Sequence, residues 1–315
     1  MIVDLQDVTK EFRSSGQLVT ALDRVTLRFT DGETVAIVGE SGSGKTTLAR
    51  LLVGLEQTTE GEVRIDGKTV RKPSHVAGRI QMVFQDPFAS FNPRHTVGYS
   101  ISKALGIQLR CSPAIAVERS TEALEEVGLH PGDDFMRRMP DELSGGQRQR
   151  ASIARALGGG AKLIVADEPT SMLDVSVSSH VLQLFRRLMS HGVRYVFITH
   201  NLAVARYIAD RVVVLYRGVV VEDGPAEDVV SNPLHPYTQL LVSSTPDPAR
   251  GIRPRTTPLT REESMTSDDF PDRDRGCVFA SRCPHRSERC LAPVALADRP
   301  GTRRVRCVLH DGSND

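Results

Sequence analysis

Apolar and polar positions change their period along the chain, and each change predicts a different kind of element. In residues 1–37, strand-like runs alternate with turns, as in an antiparallel β region. Residues 92–158 lose this strand character, and segments such as 115–127 place apolar residues at helical spacing. From residue 163 onward, strands and helices alternate again. The pattern therefore predicts an α/β core with an N-terminal antiparallel β part and a helical subdomain.

The second half of the chain has a clear predicted order. A continuous apolar run at 163–166 suits a strand that is buried on both faces of a parallel sheet. A helix is predicted over 175–188 and a further strand over 195–199. Two short apolar runs on either side of a glycine, at 212–215 and 219–221, predict a hairpin.

A glycine-rich segment follows the short apolar strand predicted at 35–38. It matches the GxxxxGK[ST] pattern of a phosphate-binding loop and leads into an apolar helix. The pattern requires this strand–loop–helix context, so a chance Lys-Thr in a glycine-rich turn is the weaker alternative. The residues expected to bind a nucleotide here are Gly39, Ser41, Gly42, Ser43, Gly44, Lys45, Thr46 and Thr47.

Lys45 and Thr46 have separate expected roles in this loop. Glycines allow the backbone to turn its N–H groups inward around phosphates, and the helix N-terminus adds about half a positive charge at the same point. In loops of this type the lysine reaches the β- and γ-phosphates, and the hydroxyl binds Mg²⁺. We therefore expect Lys45 to contact the γ-phosphate of ATP and Thr46 to bind Mg²⁺.

Two adjacent carboxylates follow the apolar run at 163–166. Asp167 is placed to hold the Mg²⁺ shell, and Glu168 is the candidate for polarising the attacking water. An extended chain directs successive side chains to opposite faces, which predicts that Glu168 points away from Asp167. An acidic loop after a strand is the alternative, and the phosphate-binding loop upstream disfavours it.

Further short motifs give the chain a resemblance to the ABC ATPase family. Gln85 resembles the family's Q-loop glutamine, Asp174 its D-loop aspartate, and His200 its switch histidine. The family's signature is matched by the pentapeptide Leu143-Ser144-Gly145-Gly146-Gln147. Phe12 lies where the family places an aromatic residue that stacks on adenine, and a core or loop aromatic is an equal alternative there. The motifs follow the family's order over residues 1 to about 225.

This resemblance implies a P-loop NTPase cassette with a RecA-like core, and it assigns roles to the motifs. Gln85 is expected to contact Mg²⁺ and water, His200 the γ-phosphate, and Asp174 the nucleotide site. A helix that opens with Ser-Gly-Gly offers free N–H groups to an anion. In the family this helix end binds the γ-phosphate that a different subunit holds. The residues expected to serve a neighbour's nucleotide are Ser144, Gly145, Gly146 and Gln147.

The number of motifs bears on the assembly. One phosphate-binding loop and one signature occur in the sequence, and we find no internal repeat. By the resemblance, one cassette therefore supplies two half-sites and no complete site. We expect a dimer that closes on two ATP molecules, with a catalytically isolated monomer as the alternative.

The composition and charge of the chain limit the classes of partner that it is expected to bind. Its 315 residues include 40 Lys and Arg and 39 Asp and Glu, for a net charge of +1, which gives no argument for nucleic-acid or polybasic membrane binding. No run approaches the ~18 apolar residues of a membrane span, and the N-terminus lacks the features of a signal peptide. We expect a peripheral protein on the cytoplasmic face of the inner membrane, which it reaches through a partner.

Beyond residue 230 the chain resembles one branch of the ABC ATPases, the subunits of oligopeptide, dipeptide and nickel importers. The resemblance lies in Asn232-Pro233-Leu234-His235-Pro236-Tyr237-Thr238 and in the cysteine-rich tail. The unaltered signature resembles the F-type subunit of these importers more than the D-type subunit. The predicted boundaries are a nucleotide-binding domain at 1–245 with its helical subdomain at about 92–158, a linker at 246–275 and a tail at 276–315.

Four of the five cysteines lie in that tail: Cys277, Cys283, Cys290 and Cys307. A disulfide framework is one possibility, but cytosolic proteins rarely keep disulfides. Zinc ribbons prefer cysteine pairs two to four residues apart, which this tail lacks, whereas longer spacing suits an iron–sulfur cluster. The resemblance also implies a [4Fe–4S] cluster. Zn²⁺ and free or partly paired thiols are the alternatives.

The resemblance implies an ATP-hydrolysing subunit that energises an importer of di- or oligopeptides. Its expected partners are a second cassette subunit in a heterodimer, two transmembrane permease subunits and an extracytoplasmic substrate-binding protein, without nucleic acid. Importers of nickel, glutathione or oligosaccharides are alternatives, because related importers use similar ATPases. Two weaker alternatives remain. A nucleic-acid-associated ABC ATPase usually has tandem cassettes or inserted arms, and a metal-sensing regulator is favoured only by the cysteine-rich tail.

Overall fold

The chain folds around two β-sheets. The computed structural model describes residues 1–14, 16–244 and 276–310, so the predicted linker at 246–275 lies outside the described residues, as does the end of the predicted tail at 311–315. In chain order the strands are β1 (Ile2–Ser14), β2 (Gln17–Thr30), β3 (Val35–Val38), β4 (Glu60–Ile65), β5 (Lys68–Thr69), β6 (Ile80–Val83), β7 (Leu163–Asp167), β8 (Arg194–Thr199), β9 (Arg211–Tyr216), β10 (Val219–Pro225), β11 (Ala297–Arg299) and β12 (Arg303–Val305). The α-helices are α1 (Lys45–Leu52), α2 (Val97–Leu109), α3 (Pro113–Glu126), α4 (Gly132–Arg137), α5 (Gly145–Leu157), α6 (Val175–Ser190), α7 (Leu202–Ile208), α8 (Ala226–Ser231) and α9 (Pro236–Ser244).

The N-terminal strands form an antiparallel sheet in the order β2-β1-β4-β5. In β2, Val25, Leu27 and Phe29 are buried, while the residues between them are exposed. This alternation arises because successive side chains of a strand point to opposite faces. The antiparallel β part predicted at 1–37 is thereby confirmed.

The main sheet has the strand order β11-β12-β10-β9-β3-β8-β7-β6 within the described residues. Its central strands β9, β3, β8, β7 and β6 run parallel, whereas β10 and β12 pair antiparallel. Every residue of β7 is buried, as its apolar sequence predicts. Because parallel strands end at the same edge of a sheet, the segments that follow β3, β6, β7 and β8 meet there.

Helices cover the main sheet on one face, and α1 with the N-terminal sheet covers the other. Alternate residues of β7 belong to different hydrophobic clusters: Ile164 packs with α3, α5 and α6 through Leu124 and Phe185. Val165 packs with α1 and the N-terminal sheet through Leu48 and Phe29. Among the described residues, no helix is both long enough and apolar enough to cross a membrane.

The elements predicted from periodicity are confirmed to within a few residues. The helix predicted at 175–188 is α6, the strand predicted at 195–199 is β8, and the hairpin is β9–β10. Helix α6 begins at Val175 because the Asp174 side chain caps it, accepting a hydrogen bond from the Val177 N–H.

The described part of the tail docks on the edge of the main sheet. Strand β12 pairs with β10, and the buried Arg303 guanidinium donates to the buried Glu222 carboxylate at 2.6 Å. Glu222 also accepts the backbone N–H groups of Leu234 and His235. Since a buried charge needs both a partner and hydrogen bonds, this arrangement ties the tail to the cassette.

Candidate nucleotide-binding site

The predicted phosphate-binding loop connects β3 to α1 at the carboxyl edge of the main sheet. Gly44 precedes α1 with a φ of 102°, and a Cβ added there would lie 2.4 Å from the Ala21 carbonyl oxygen. A side chain at this position is therefore excluded. The Lys45 ammonium donates to the carbonyl oxygens of Gly39 and Glu40, at 2.8 Å each. Lys45 thus folds back across the loop.

The remaining predicted loop residues form the turn and the first helical residues. The Ser43 N–H donates to the Glu40 carbonyl oxygen at 3.2 Å, while Ser41 and Gly42 are exposed. The Ser43 hydroxyl is buried and has no hydrogen-bond partner among the described residues. Buried polar groups usually have a partner, so this hydroxyl is a group that a ligand can satisfy. Thr47 lies in the first turn of α1.

Lys45 and two carboxylates form the charged centre of the site. Burial lowers the pKa of Lys45, and the nearby Glu168 and Asp167 carboxylates oppose that shift. Burial raises the pKa of Asp167, and a hydrogen bond from Thr46 opposes it. The Thr46 hydroxyl lies 3.4 Å from an Asp167 carboxylate oxygen. Such oxygen pairs are the donors that Mg²⁺ prefers.

Glu168 has a backbone conformation that the sequence did not predict. Strand β7 ends at Asp167, and Glu168 has a φ of 43°. Glu168 therefore does not continue the extended chain on which its predicted direction was based. The Glu168 N–H donates to the Ile198 carbonyl oxygen of β8 at 3.0 Å. Left-handed conformations of non-glycine residues are uncommon and are held by their surroundings, here by the neighbouring strand.

The Glu168 carboxylate lies between Gln85 and His200. The Gln85 amide donates to one carboxylate oxygen at 3.3 Å, and His200 Nδ1 lies 3.5 Å from the other. Gln85 follows β6 and His200 follows β8, the strands on either side of β7. Gln85 and His200 are exposed, so water can reach the carboxylate between them. The structure thus brings together six residues predicted from the sequence: Lys45, Thr46, Gln85, Asp167, Glu168 and His200.

The signature segment begins α5 with two reciprocal hydrogen bonds. The Ser144 hydroxyl accepts the Gln147 N–H at 3.3 Å, and the Gln147 side chain accepts the Ser144 N–H at 3.0 Å, which is a capping box. Gly146 packs against α6, where an added Cβ would lie 2.6 Å from Val177 Cγ1. Within the described ranges, no hydrogen bond or ion pair joins residues 144–147 to the phosphate-binding loop.

Asp174 and Phe12, which were predicted to contact a nucleotide, each have contacts within the chain. The Asp174 carboxylate accepts the Val177 N–H at 2.9 Å and the Ser176 hydroxyl at 2.8 Å, and these bonds hold its pKa below the ordinary value. Phe12 lies on β1 with the Lys10 ammonium 4.7 Å from its ring centre. The structure does not test their predicted contacts with a nucleotide.

Comparisons with known proteins identify the family. The sequence pattern of the ABC transporter family matches residues 22–171. The di/tripeptide transport ATP-binding protein DppF of Pseudomonas aeruginosa is 40% identical over 319 residues, which cover 97% of either chain. The chain belongs to the ABC transporter family of ATPases. The pattern described as the oligopeptide/dipeptide transporter C-terminal region matches residues 221–290 of this ABC ATPase.

Further relatives extend the likeness of this ABC ATPase over its length and its fold. The oligopeptide transport ATP-binding protein OppF of Escherichia coli is 40% identical and is aligned over 98% of this chain and 93% of the relative. A solved dimer of the ATP-binding cassette MJ0796, bound to ADP and Pi in a post-hydrolysis state, is 33% identical with a TM-score of 0.63. That match covers 71% of this chain and 98% of the cassette. The predicted cassette fold and the ATP-hydrolysing class of enzyme are confirmed.

Two contacts near the site were not predicted. The Tyr237 hydroxyl accepts the Glu40 N–H of the phosphate-binding loop at 2.8 Å. The Arg282 guanidinium of the tail donates to both oxygens of the Glu40 side chain, at 2.9 and 3.0 Å. Both partners lie in segments that the resemblance singled out, but they are 197 and 242 residues from Glu40, and the sequence gave no signal that these segments contact the loop.

Signature helix α5 also contacts the segment after Gln85. The Arg148 guanidinium lies 4.2 Å from the ring centre of the exposed Phe88. The Arg155 guanidinium donates to the Ser90 carbonyl oxygen at 2.5 Å, and burial lowers the pKa of Arg155. The signature helix and the segment after Gln85 are therefore joined by two arginines whose contacts the sequence did not predict.

The four tail cysteines, Cys277, Cys283, Cys290 and Cys307, line one small cavity together with His235. All four are free thiols. Burial raises the pKa of Cys277, Cys283 and Cys307, the last to about 11. Across the described residues, however, no group of three or more His, Cys, Asp or Glu side chains is arranged to hold a metal ion. The cluster therefore stays a prediction.

Proposed function

We propose that this ABC ATPase energises the import of di- or oligopeptides. The observation that carries the proposal is the match of residues 221–290 to the C-terminal region of oligopeptide/dipeptide transporters. This segment lies mostly outside the nucleotide motifs, so it distinguishes one branch of ABC ATPases from the others. The printed names of DppF and OppF, a di/tripeptide and an oligopeptide transport ATP-binding protein, support the same cargo class. The F-type subunit is proposed over the D-type because the signature is unaltered.

ATP is proposed to bind in the loop from Gly39 to Thr47. The Lys45 ammonium would exchange its two carbonyl partners for the β- and γ-phosphates. Thr46, Asp167 and Gln85 are proposed to hold Mg²⁺, and the short Thr46–Asp167 distance fits its preference for oxygen donors. When bound, Mg²⁺ supplies positive charge to the phosphates. Ser41, Gly42, Ser43 and Gly44 contribute mainly backbone N–H groups.

Hydrolysis is proposed to depend on Glu168. Its carboxylate, held between Gln85 and His200, would orient the water that attacks the γ-phosphorus and accept its proton. The bond from the γ-phosphorus to the ADP oxygen breaks in the same displacement, and ADP and inorganic phosphate leave. Lys45 and His200 stabilise charge on the γ-phosphate. Catalysis of this kind consists mostly of positioning and charge stabilisation.

A neighbouring cassette is proposed to complete the site. The capping box around Ser144 and Gln147 leaves the N–H groups of Gly145 and Gly146 at the open end of α5, where an anion binds favourably. Asp174 begins the adjacent helix α6 and is proposed to lie at the same interface. The MJ0796 cassette was solved as a dimer, which supports a shared site. We propose a heterodimer with a second, related cassette.

Further partners follow from the importer assignment. They are two transmembrane permease subunits and an extracytoplasmic substrate-binding protein, so the chain would lie at the cytoplasmic face of the inner membrane. We propose nucleotide-binding domain boundaries of 1–245, with a helical subdomain at about 92–158 and a tail at 276–315. Phe12 is proposed to stack on the adenine ring.

The four tail cysteines are proposed to form a metal centre. Four thiols at one cavity are the donor set of an iron–sulfur cluster, with Zn²⁺ as the alternative. The His235 ring adds a buried Nε2 that has no partner among the described residues, while its Nδ1 accepts the Tyr237 N–H. Nε2 therefore carries a proton that can be donated to an anionic occupant of this cavity. The centre would be structural or regulatory.

An uptake experiment tests the proposed cargo. The gene is deleted in its host, and uptake of a labelled tripeptide, nickel, glutathione and an oligosaccharide is measured separately. We expect only tripeptide uptake to fall, and to recover with the wild-type gene but not with Lys45→Ala. Loss of nickel, glutathione or oligosaccharide uptake with intact peptide uptake would contradict the proposal. Co-purification of a second cassette and two membrane proteins is also expected.

A separate assay tests the metal centre. Protein purified without oxygen is analysed for iron, sulfide and zinc and scanned for visible absorption. We expect iron and sulfide in equal amounts and their loss in Cys283→Ser, with no loss in Cys111→Ser, whose sulfur lies outside the cavity. Zinc without iron would contradict the cluster and support the alternative metal.

A further inference from the structure

Glu40, in the first turn of the phosphate-binding loop, forms hydrogen bonds with Tyr237 and Arg282, two residues that follow the cassette motifs in the sequence. The Glu40 N–H donates to the Tyr237 hydroxyl. Both oxygens of the Glu40 side chain accept hydrogen bonds from the Arg282 guanidinium, at 2.9 and 3.0 Å. Paired bonds of this type fix direction as well as distance. The same residue also offers its carbonyl oxygen to Lys45, so Glu40 is a junction between the tail and the loop.

Aromatic packing fixes the segment that carries Arg282 and so positions its guanidinium for this contact. It ends a 3₁₀ turn (Ala280–Arg282) that follows the fully buried Phe279. The Phe279 ring packs edge-on against Tyr216, with ring centres 5.3 Å apart, and in a tilted arrangement against Tyr237, with ring centres 5.5 Å apart. The Arg282 guanidinium lies 5.8 Å from the Tyr216 ring centre. These aromatic contacts limit the positions open to the guanidinium.

The charge of Glu40 gives this contact a consequence for nucleotide binding. The carboxylate belongs to a loop that must accept the β- and γ-phosphates, and like charges repel across a site that is partly shielded from water. Arg282 offsets that charge and holds the carboxylate toward the tail. A free Glu40 side chain would lack both effects. Lys45 and the loop N–H groups would then bind phosphate less well.

We propose that Arg282 is a positioning residue for the phosphate-binding loop, through which the docked tail raises the affinity for ATP. It acts through Glu40 and does not itself contact the nucleotide. The inference rests on the proposed role of the loop in binding ATP, and it is independent of the cargo.

The direct test is a titration of the purified full-length chain with a fluorescent ATP analogue in the presence of Mg²⁺. Arg282→Gln is expected to raise the Kd about 3- to 10-fold, the effect of paired charge-assisted bonds reduced for partial exposure. Arg286→Gln is the matched control, because it removes the same charge from an exposed site four residues away. Its Kd should equal that of the wild type. An unchanged Kd in Arg282→Gln would overturn the proposal.

A second set of variants separates positioning from general damage. If Arg282 acts through Glu40, the double variant Glu40→Gln/Arg282→Gln should bind the analogue more tightly than Arg282→Gln alone, because no unpaired carboxylate remains. Arg282→Lys, which keeps the charge but loses the paired geometry, should fall between the wild type and Arg282→Gln. Additive losses in the double variant would show that Arg282 does not work through Glu40.

Kinetics of the assembled complex provide a further discriminating readout. A positioning role in ATP binding predicts a higher KM for ATP in Arg282→Gln with nearly unchanged kcat, because the groups around Glu168 are untouched. A fall in kcat at unchanged KM would contradict it. Lys45→Ala tests the underlying assignment separately: if that variant binds the analogue as tightly as the wild type, the proposed role of the loop fails, whatever Arg282 does.

Discussion

Gly146 offers a sharp test of how the signature is positioned, through the substitution Gly146→Ala. The added Cβ would lie 2.6 Å from Val177 Cγ1, whereas carbon atoms in contact normally stay about 3.5–4.0 Å apart. Val177 is β-branched and lies in α6, so its side chain has essentially one rotamer and cannot turn away. The start of α5 must therefore move by about 1 Å relative to α6.

The expected effect falls on turnover more than on stability. Overpacking costs about 1–3 kcal/mol, while replacing a helical glycine by alanine gains about 0.5–1 kcal/mol, so the two effects partly cancel. A displacement of about 1 Å at a catalytic group can reduce the rate about 10²-fold. We therefore expect ATP hydrolysis by the assembled complex to fall by about this factor. The affinity of the isolated chain for ATP should not change, since the phosphate-binding loop lies elsewhere.

The rescue variant decides whether this reasoning is right. Gly146→Ala/Val177→Ala removes the methyl group that the new Cβ meets, so most of the lost turnover should return. Hydrolysis is measured at saturating ATP with a phosphate-release assay, and thermal unfolding of each variant is recorded alongside. If Val177→Ala restores nothing, the packing of Gly146 on α6 is not what the substitution disturbs. Gly145→Ala is a matched control for stability, because its Cβ would lie at an ordinary 3.4 Å from the Leu173 side chain.

Two further predictions concern the catalytic carboxylate and the tail. Glu168→Gln keeps the shape but not the base, so hydrolysis by the complex should fall about 10²–10⁴-fold while ATP binding persists; near-normal turnover would reject Glu168 as the base. Arg303→Met leaves the fully buried Glu222 without its charged partner, which should weaken tail docking by about 3–5 kcal/mol. In metal-free protein, the buried Cys307 of Arg303→Met should then react with a thiol label much faster than in the wild type. The double variant Glu222→Gln/Arg303→Met should be labelled more slowly than Arg303→Met. Labelling of Arg303→Met at the wild-type rate would contradict the proposed docking of the tail.

The nucleotide site could be predicted in large part because its residues occur in short local patterns. Lys45 and Thr46 follow a strand and begin a helix, and that order alone places them at a sheet edge. The conformation of Glu168 could not be predicted in this way. Its φ of 43° depends on the hydrogen bond to Ile198, which belongs to a strand about 30 residues further along the chain. Local sequence carries no information about that partner.

The contacts of the tail were even harder to predict from local sequence. Strands β11 and β12 are three residues long, too short for an alternating pattern to be recognised. Arg303 pairs with Glu222 across 81 positions, and Arg282 with Glu40 across 242. These contacts decide where the tail docks, and only the folded structure brings their partners together. The four tail cysteines line one cavity, and the iron–sulfur cluster that their spacing predicted stays a prediction.

The most direct test of the shared-site proposal is the ATPase rate of this chain alone, compared with its rate in the assembled complex. The isolated chain is first shown to be monomeric by light scattering and to bind the ATP analogue. We predict hydrolysis near background for the monomer and full turnover for the complex, because the proposal assigns residues 144–147 to the nucleotide site of a neighbour. A verified monomer that hydrolyses ATP as fast as the complex would contradict the central proposal.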